Sequence, residues 1–410
     1  MNRHPSWLAS IAAAAAFAAS AAQAAPAAVD VAAADNAFGF RLLNAVQKAT
    51  PTGNVILSPV SAALDLAMVL NGADGQTRDE MRSALSLDGS ELDAINAANA
   101  ALIKTIRTPA KSVTLAVADS LWVDNRRATL KPEYLKQAQA SYDAEMTDLD
   151  FSSPGAAARI NDWASEHTHG KITQVIDRID RADLALLLNA VYFKGEWTFK
   201  FDAAQTKLRD FNLAGGSVKQ LMRMAQSGRF EYFETPAMQA IRLPFGAGDL
   251  GLEVLLPSST SSLAALEAQL TPQNWQAWKA RFVRRPGNIE LPRFELKSKY
   301  RLNAALQALG MNRAFHAGGA DAAQLTSMFS PVPGAAHDRN FFISAVLQSV
   351  YWKVDEEGSE AAAVTTTTMR ATLAARPAEP FRMIVDRPFF CAIEDGRSGT
   401  LLFVGAIYEP

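Results

Sequence analysis

The 410-residue sequence contains a single cysteine, Cys391, and has a formal net charge of only −2. One cysteine cannot form an internal disulfide, so the stability of the fold must come from packing. The near balance of acidic and basic residues argues against a nucleic-acid-binding protein that depends on bulk positive charge. Cys391 lies in the apolar run from Phe389 to Ile393, which favours a buried, unreactive thiol in a core strand.

Catalytic and metal-binding motifs are also absent from the sequence. It has no His-Glu-x-x-His, no Gly-x-Ser-x-Gly and no spaced set of cysteine ligands. Among its five histidines, His167 and His169 are two residues apart. This pair could bind a metal, although two solvated side chains near a helix end are the more common arrangement. The sequence therefore favours a protein that is not an enzyme and has no metal or cofactor.

Long hydrophobic runs are confined to the N-terminus. A short basic region is followed by the apolar, alanine-rich residues 7–22, and Ala22-Gln23-Ala24 has the small-x-small pattern of a signal-peptidase site. We therefore expect a signal peptide at residues 1–24 and an exported domain at residues 25–410, in the periplasm or secreted. Since no later run reaches about 18 apolar residues, we expect a soluble mature protein without a membrane partner.

Residues 354–373, with the sequence VDEEGSEAAAVTTTTMRATL, carry two structural signals. Acidic residues, a glycine and small side chains provide too little apolar surface to hold a fixed position, whereas four consecutive threonines suit a strand. In a strand, alternate side chains share one face, and the uncharged face would consist of Ser359, Ala361, Ala363, Thr365, Thr367 and Met369. Such a segment could enter the middle of a sheet and bury this face.

The same stretch resembles the reactive-centre loop of the serpin family, in which an acidic pair, Gly, Ser or Thr, Glu and an alanine run form the hinge. The resemblance implies a reactive-centre loop at about residues 356–380. Its hinge would consist of Glu356, Glu357, Gly358, Ser359, Glu360, Ala361, Ala362 and Ala363. Taken alone, the alanine and threonine run could instead be a plain linker between two strands.

Three further blocks resemble serpins. They are residues 54–85, the Asn161-x-Trp163 and Thr168-x-Gly170-Lys171-Ile172 pattern, and residues 188–201 with their Phe-Lys-Gly-x-Trp sequence. The resemblance extends from about Asp35 to Tyr408 and implies one α+β domain with the serpin fold: three β-sheets, about eight or nine helices and an exposed reactive-centre loop.

Two elements can be placed from the residues themselves. Residues 184–197 are apolar on both faces, which predicts a central strand covered on both sides. Residues 263–283 are expected to form one helix.

The resemblance also implies a seam where the main sheet opens, between the strands at residues 184–197 and 341–355. A polar cluster that controls opening would consist of Ser58, Ser61, Asn189 and Gln348. Serpins commonly have His where this chain has Gln348, which can donate and accept hydrogen bonds but cannot titrate near neutral pH. Ordinary capping by Ser and Asn is the alternative interpretation.

At the top of the seam, Trp197, Arg293 and Glu356 resemble the gate where insertion starts. A partly buried Arg–carboxylate pair there would restrain the loop until it is cut. The alternative is a solvated surface pair that contributes about 0–1 kcal/mol.

The resemblance implies an inhibitor of serine proteases, or of cysteine proteases, that acts as a monomeric suicide substrate. Counting from Glu356 places the scissile bond between Thr372 and Leu373, which suits an elastase-like target. A bond between Arg370 and Ala371 would suit a trypsin-like target, with a shorter hinge. A non-inhibitory serpin relative that acts as a binding or scaffold protein is the main alternative, and a periplasmic hydrolase is a remote one.

Overall fold

The computed structural model describes residues 29–108, 112–334, 341–358 and 379–410. The helices in these ranges are α1 (Val31–Gln47), α2 (Pro59–Leu70), α3 (Gly75–Ala84), α4 (Leu92–Arg107), α5 (Pro132–Tyr142), α6 (Ala156–His167), α7 (Leu263–Glu267), α8 (Pro272–Lys279) and α9 (Asn303–Ala308). Two short 3-10 helices lie at Ala203–Gln205 and Arg313–Phe315. None of the helices found in these ranges has the length and apolar character needed to cross a membrane.

The strands in the same ranges are β1 (Val55–Leu57), β2 (Val113–Asp124), β3 (Ala128–Leu130), β4 (Glu145–Leu149), β5 (Ala185–Gly195), β6 (Lys207–Asn212), β7 (Val218–Glu234), β8 (Met238–Phe245), β9 (Leu250–Pro257), β10 (Val283–Pro292), β11 (Phe294–Arg301), β12 (Phe329–Pro331), β13 (Ala345–Val354), β14 (Phe381–Ile384), β15 (Phe389–Asp395) and β16 (Thr400–Ile407).

These strands form three sheets. The largest has nine strands in the order β1-β16-β15-β9-β8-β7-β10-β14, with β6 paired to β7. A five-stranded sheet has the order β11-β13-β5-β2-β4, and β12 pairs with β3. With nine α-helices in the described part of the chain, this arrangement confirms the expected α+β architecture.

Strand β5 is the middle strand of the five-stranded sheet, and both of its faces are buried. Leu187 and Phe193 belong to the main hydrophobic core, whereas Leu188 and Tyr192 pack in a second core that also contains Trp163 of α6. A strand that is apolar on both faces requires cover on both sides. The structure confirms the central, doubly covered strand predicted from residues 184–197.

The prediction of a single helix over residues 263–283 is wrong. Helix α7 ends at Glu267, α8 begins at Pro272, and Val283 already belongs to β10. Proline has no N–H to donate and favours the first position of a helix. Thr271 caps the new helix, because its side chain accepts a hydrogen bond from the N–H of Asn274 at 3.1 Å.

The setting of Cys391 agrees with the prediction of an inert thiol. The residue lies in β15 and is fully buried. Burial raises the pKa of the Cys391 thiol well above its ordinary value, so the thiolate needed for reaction is disfavoured.

Truncation on either face of β5 is expected to destabilise the protein equally. Leu187→Ala and Leu188→Ala each remove a fully buried side chain, so each should cost about 2–5 kcal/mol in chemical denaturation. The control, Leu208→Ala, truncates a side chain that is 53% exposed and should change stability by less than about 0.5 kcal/mol. An unchanged stability of Leu188→Ala would contradict a packed core between β5 and α6.

Candidate functional site at the seam of the five-stranded sheet

Strands β13 and β5 pair directly and run parallel, with residues 345–351 opposite residues 186–192. Their outer neighbours are antiparallel to them, since β11 pairs with β13 and β2 pairs with β5 in the antiparallel sense. The seam is therefore a parallel joint between two antiparallel pairs. A strand that entered the seam in the opposite direction would be antiparallel to both neighbours, a pairing that is slightly more stable per residue.

The four residues predicted to control the seam lie together and are buried. The Gln348 side chain accepts a hydrogen bond from the Ser58 N–H at 3.0 Å and donates to the Ser58 carbonyl at 2.9 Å. Its Nε2 also donates to Asn189 Oδ1 at 2.8 Å, which joins β13 to β5. Asn189 Nδ2 donates in turn to Ser61 Oγ. Ser58 takes part through its backbone, because its hydroxyl has no partner among the described residues.

Asp119 of β2 is a fifth member of this cluster that the sequence reasoning missed. Its Oδ1 accepts hydrogen bonds from Ser61 Oγ at 2.9 Å and from Asn189 Nδ2. Burial raises the pKa of Asp119 to about 6, although the hydrogen bonds from Ser61 and Asn189 and the positive charge of Arg107 lower it. The available signal was an acidic residue within the apolar strand pattern of residues 113–123.

Asp65 adds a second carboxyl group close to the cluster. It lies one helical turn after Ser61 on α2 and is almost fully buried. Neither of its oxygens has a hydrogen-bond partner in the described ranges. Burial, together with the charge of Asp119, raises the pKa of Asp65 well above its ordinary value.

The structure also brings Trp197, Arg293 and Glu356 together at the top of the seam. Trp197 Nε1 donates to the Asp355 carbonyl at 2.8 Å. Arg293 Nε lies 3.5 Å from Glu356 Oε2, with side-chain exposures of 45% and 11%. Solvent screens a pair with so exposed a partner, which reduces its contribution to stability. Glu356 is also held by Thr206 Oγ1, which donates to its carboxylate at 2.7 Å.

The chain reverses direction in the tight turn from Asp355 to Gly358. The Asp355 N–H donates to the Gly358 carbonyl at 3.1 Å, and the Gly358 N–H donates back at 3.2 Å. Gly358 forms antiparallel bridges to both Asp355 and Glu196. Its φ is +117°, and a Cβ there would lie 2.2 Å from the Gly195 carbonyl oxygen, so only glycine fits. Gly358 therefore already lies between the two strands at the mouth of the seam.

Most residues of the predicted reactive-centre loop lie outside the described ranges. These are the hinge residues Ser359, Glu360, Ala361, Ala362 and Ala363, and both candidate scissile bonds, Thr372 with Leu373 and Arg370 with Ala371.

The two neighbouring histidines do not form part of a metal centre in the described ranges. His167 Nδ1 lies 2.8 Å from the Trp163 carbonyl, and His169 makes an edge-on contact with the ring of Tyr192. No group of three or more His, Cys, Asp or Glu side chains suited to a metal occurs in this part of the chain.

Comparison with known proteins identifies the family. A family model described as "Serpin (serine protease inhibitor)" matches residues 33–410. The leukocyte elastase inhibitor of Sus scrofa is 33% identical over 397 residues, which cover 93% of this chain and 99% of that protein. The chain belongs to the serpin family. The family is described as one of protease inhibitors and not of enzymes, which confirms the prediction that the chain is not an enzyme.

Solved structures agree with the serpin fold. The thermophilic serpin tengpin in its native state superposes with a TM-score of 0.81 at 25% identity, covering 92% of this chain and 94% of that one. Human thyroxine-binding globulin complexed with thyroxine gives a TM-score of 0.82 at 21% identity, covering 93% and 98%. At that identity the likeness shows the fold alone.

Replacing Gln348 with Met should weaken the seam of this serpin. The substitution keeps the volume but removes three hydrogen bonds, and it leaves the Ser58 N–H and Asn189 Oδ1 buried without partners. We expect a loss of about 2–4 kcal/mol in chemical denaturation. The matched control Gln276→Met, on the exposed side of α8, should be neutral. Equal stability of the two variants would contradict a restraining role for Gln348.

Proposed function

We propose that this serpin inhibits a serine protease as a suicide substrate. The protease cuts the reactive-centre loop and forms an acyl-enzyme, and the severed hinge then enters the seam between β13 and β5. The observation that carries this proposal is the position of Gly358, which is bridged to Asp355 and to Glu196 in the antiparallel sense. Insertion only has to extend a pairing that the intact protein has already begun.

The bridges of Gly358 define a register for the inserted strand. In antiparallel order, residue 359 would pair with residue 354 of β13 and residue 195 of β5. Each further residue of the inserted strand would pair with the preceding residue of both neighbours. This register is consistent with the existing one, in which Gln348 lies opposite Asn189. The full length of β13 would then pair with residues 359–368, a strand of about 33 Å.

In this register the uncharged face of the segment would lie toward the main core. Directly opposed residues of paired strands share a face. Ser359, Ala361, Ala363, Thr365 and Thr367 would lie opposite Gly195, Phe193, Val191, Asn189 and Leu187 of β5. Phe193, Val191 and Leu187 belong to the main core, so small uncharged partners are what this side requires.

The charged residue of the segment falls on the other face. Glu360 would lie between Lys194 of β5 and Lys353 of β13, both of which are only partly buried. Opposite charges on adjacent strands stabilise a sheet. The distribution of charge therefore supports insertion and disfavours a binding or scaffold protein, which would be expected to carry a charged or bulky residue on the core-facing side.

We propose an elastase-like protease as the target. Cleavage between Thr372 and Leu373 would follow a small side chain, and a relative of this serpin is named a leukocyte elastase inhibitor. Cleavage between Arg370 and Ala371 by a trypsin-like protease is the alternative to be tested, as is a cysteine protease as the target.

Mixing the purified protein with elastase should produce a covalent adduct that survives a denaturing gel, and the cut protein should melt at a higher temperature. Thr365→Arg should abolish both effects, because position 365 would lie between the buried Asn189 and Gln348. Thr368→Arg is the matched control. Position 368 would lie on the other face, opposite Leu186 and Ala345, at the wall of a cavity of about 630 Å³ that Asp177 and Asp183 also line, so an arginine has space and acidic partners there and both effects should persist.

Intact-mass analysis of the same mixtures locates the cut and separates the alternatives. Clean cleavage of the unmodified protein without an adduct or a higher melting temperature would indicate the non-inhibitory binding protein. Turnover of a small substrate would indicate the hydrolase. Fragments from cleavage after Arg370, with trypsin as the trapped protease, would overturn the elastase-like assignment.

We also propose that the protein is exported and acts as a monomer, with residues 1–24 removed. The basic start, apolar run and Ala22-Gln23-Ala24 sequence support cleavage before Ala25. Expressed with its own N-terminus in a Gram-negative host, the protein should appear in the periplasm or medium with Ala25 as its first residue. Ala24→Asp should block processing. An uncut cytoplasmic chain would contradict export.

A further inference from the structure

The start of α2 connects both sides of the seam. On the β13 side, Gln348 makes its two hydrogen bonds to the Ser58 backbone. The neighbouring β11 adds Ser298 Oγ, which donates to the Ile56 carbonyl at 3.1 Å, and the Tyr300 hydroxyl, which lies 3.4 Å from the Asn54 carbonyl. The segment that leads into α2 is therefore attached to the β13 side at four points.

On the β5 side, the hydrogen bonds to α2 within the described residues converge on Ser61. The Ser61 hydroxyl donates to Asp119 of β2 and accepts from Asn189 of β5. Asp119 and Asn189 lie opposite each other in the β2–β5 register, and Asn189 Nδ2 donates to the Asp119 carboxylate. These two residues would therefore move together if the sheet opens.

Opening of the seam must break one of these two attachments. Adjacent strands lie about 4.8 Å apart, so one inserted strand would move β13 and β5 to about twice that spacing. A hydrogen bond does not stretch over such a distance. Because the β13 side is held at four points and the β5 side through the single hydroxyl of Ser61, the bonds of Ser61 to Asp119 and Asn189 are expected to break, together with the direct bond from Gln348 to Asn189.

We propose that the Asp119 carboxylate latches the β5 side of the sheet to α2 through Ser61, and that its protonation releases this latch and accelerates opening of the seam. The inference rests on the proposed function, since it assumes that the seam opens to admit a strand. A hydrogen bond to an ionised carboxylate is roughly twice as strong as a neutral one. Protonation of Asp119 therefore weakens one of the attachments that have to break.

Several charged and titratable groups face Asp119 from the elements around it. They are Asp65 from α2 and Arg107 from α4, which also pairs with Asp143; beyond Asp65 lies Tyr134 of α5, whose pKa is raised by burial and also by the charge of Asp65. Asn189 on β5 and Gln348 on β13 are uncharged. The raised pKa of about 6 places the Asp119 titration just below neutral pH. Burial and the charge of Asp119 raise the pKa of Asp65 well above its ordinary value, which favours its uncharged form.

Acid is expected to affect global stability and opening in opposite ways. The pKa of Asp119 rises from 3.8 to about 6 on folding, so its stabilising contribution is complete below 3.8 and is lost as the pH rises through 6. Protonation removes the cost of burying the charged Asp119 carboxylate. It does so equally in the closed and the open sheet, because Asp119 stays on the buried β2 strand in both. Only the bond to Ser61 distinguishes them, so acid should favour opening while it stabilises the fold.

A synthetic peptide with the sequence of residues 359–368 tests the latch without a protease. Annealing of the fluorescently labelled peptide to intact protein should be roughly tenfold faster at pH 5 than at pH 7.5. Asp119→Asn keeps an acceptor for Ser61 but cannot titrate, so its rate should be the same at both pH values. The control Asp210→Asn, at the exposed β6 strand, should keep the full pH dependence.

Ser61→Ala provides a second route should Asp119→Asn fail to fold. It removes the hydroxyl that joins Asp119 to α2, so the peptide should anneal fast at both pH values. A pH-independent rate for the unmodified protein, a retained pH dependence in Asp119→Asn or Ser61→Ala, or no annealing at any pH would overturn the proposal. A protein that anneals the peptide with this pH dependence but forms no protease adduct would support the latch and remove the inhibitor function.

Discussion

The direct pairing of two parallel strands, β13 and β5, is the constraint on which the rest of this structure depends. Each strand is antiparallel to its other neighbour, so the seam is the joint at which a reversed strand would gain antiparallel partners on both sides. The polar cluster beneath the seam and the turn from Asp355 to Gly358 at its end both act on this joint. The cluster holds the strands together, and the turn points the chain back between them.

In the proposed insertion, the turn and the cluster would act at opposite stages. Gly358 already lies between the strands, at the position where insertion would begin. The hydrogen bonds of Gln348, Asn189 and Ser61 must separate before it can advance. If the proposed insertion is correct, the intact form is stable for kinetic reasons, because buried polar contacts have to break before new pairing replaces them.

Sequence reasoning succeeded where the relevant pattern is local. The apolar run of β5 predicted a strand covered on both sides, and the structure places it at the centre of its sheet. Resemblance grouped the four cluster residues and the three proposed gate residues, and each group lies together in the structure, although Ser58 takes part through its backbone. Asp119 was missed because it joins the cluster through its hydrogen bond with Ser61, which lies far away in the sequence. The prediction of one helix over residues 263–283 was wrong because it followed the apolar spacing and overlooked Pro272, which marks the start of a new helix.

The sequence alone determined that the one charge in residues 359–369, Glu360, would fall on one face of a strand and that the other face would be uncharged, since successive residues of any strand face opposite sides. Which face would meet the core in the proposed insertion, and which lysines Glu360 would meet, could be inferred only from the tertiary structure. That choice depends on register, and register follows from the bridges of Gly358 to Asp355 and Glu196. Long-range hydrogen bonds of this kind have no counterpart in local sequence spacing.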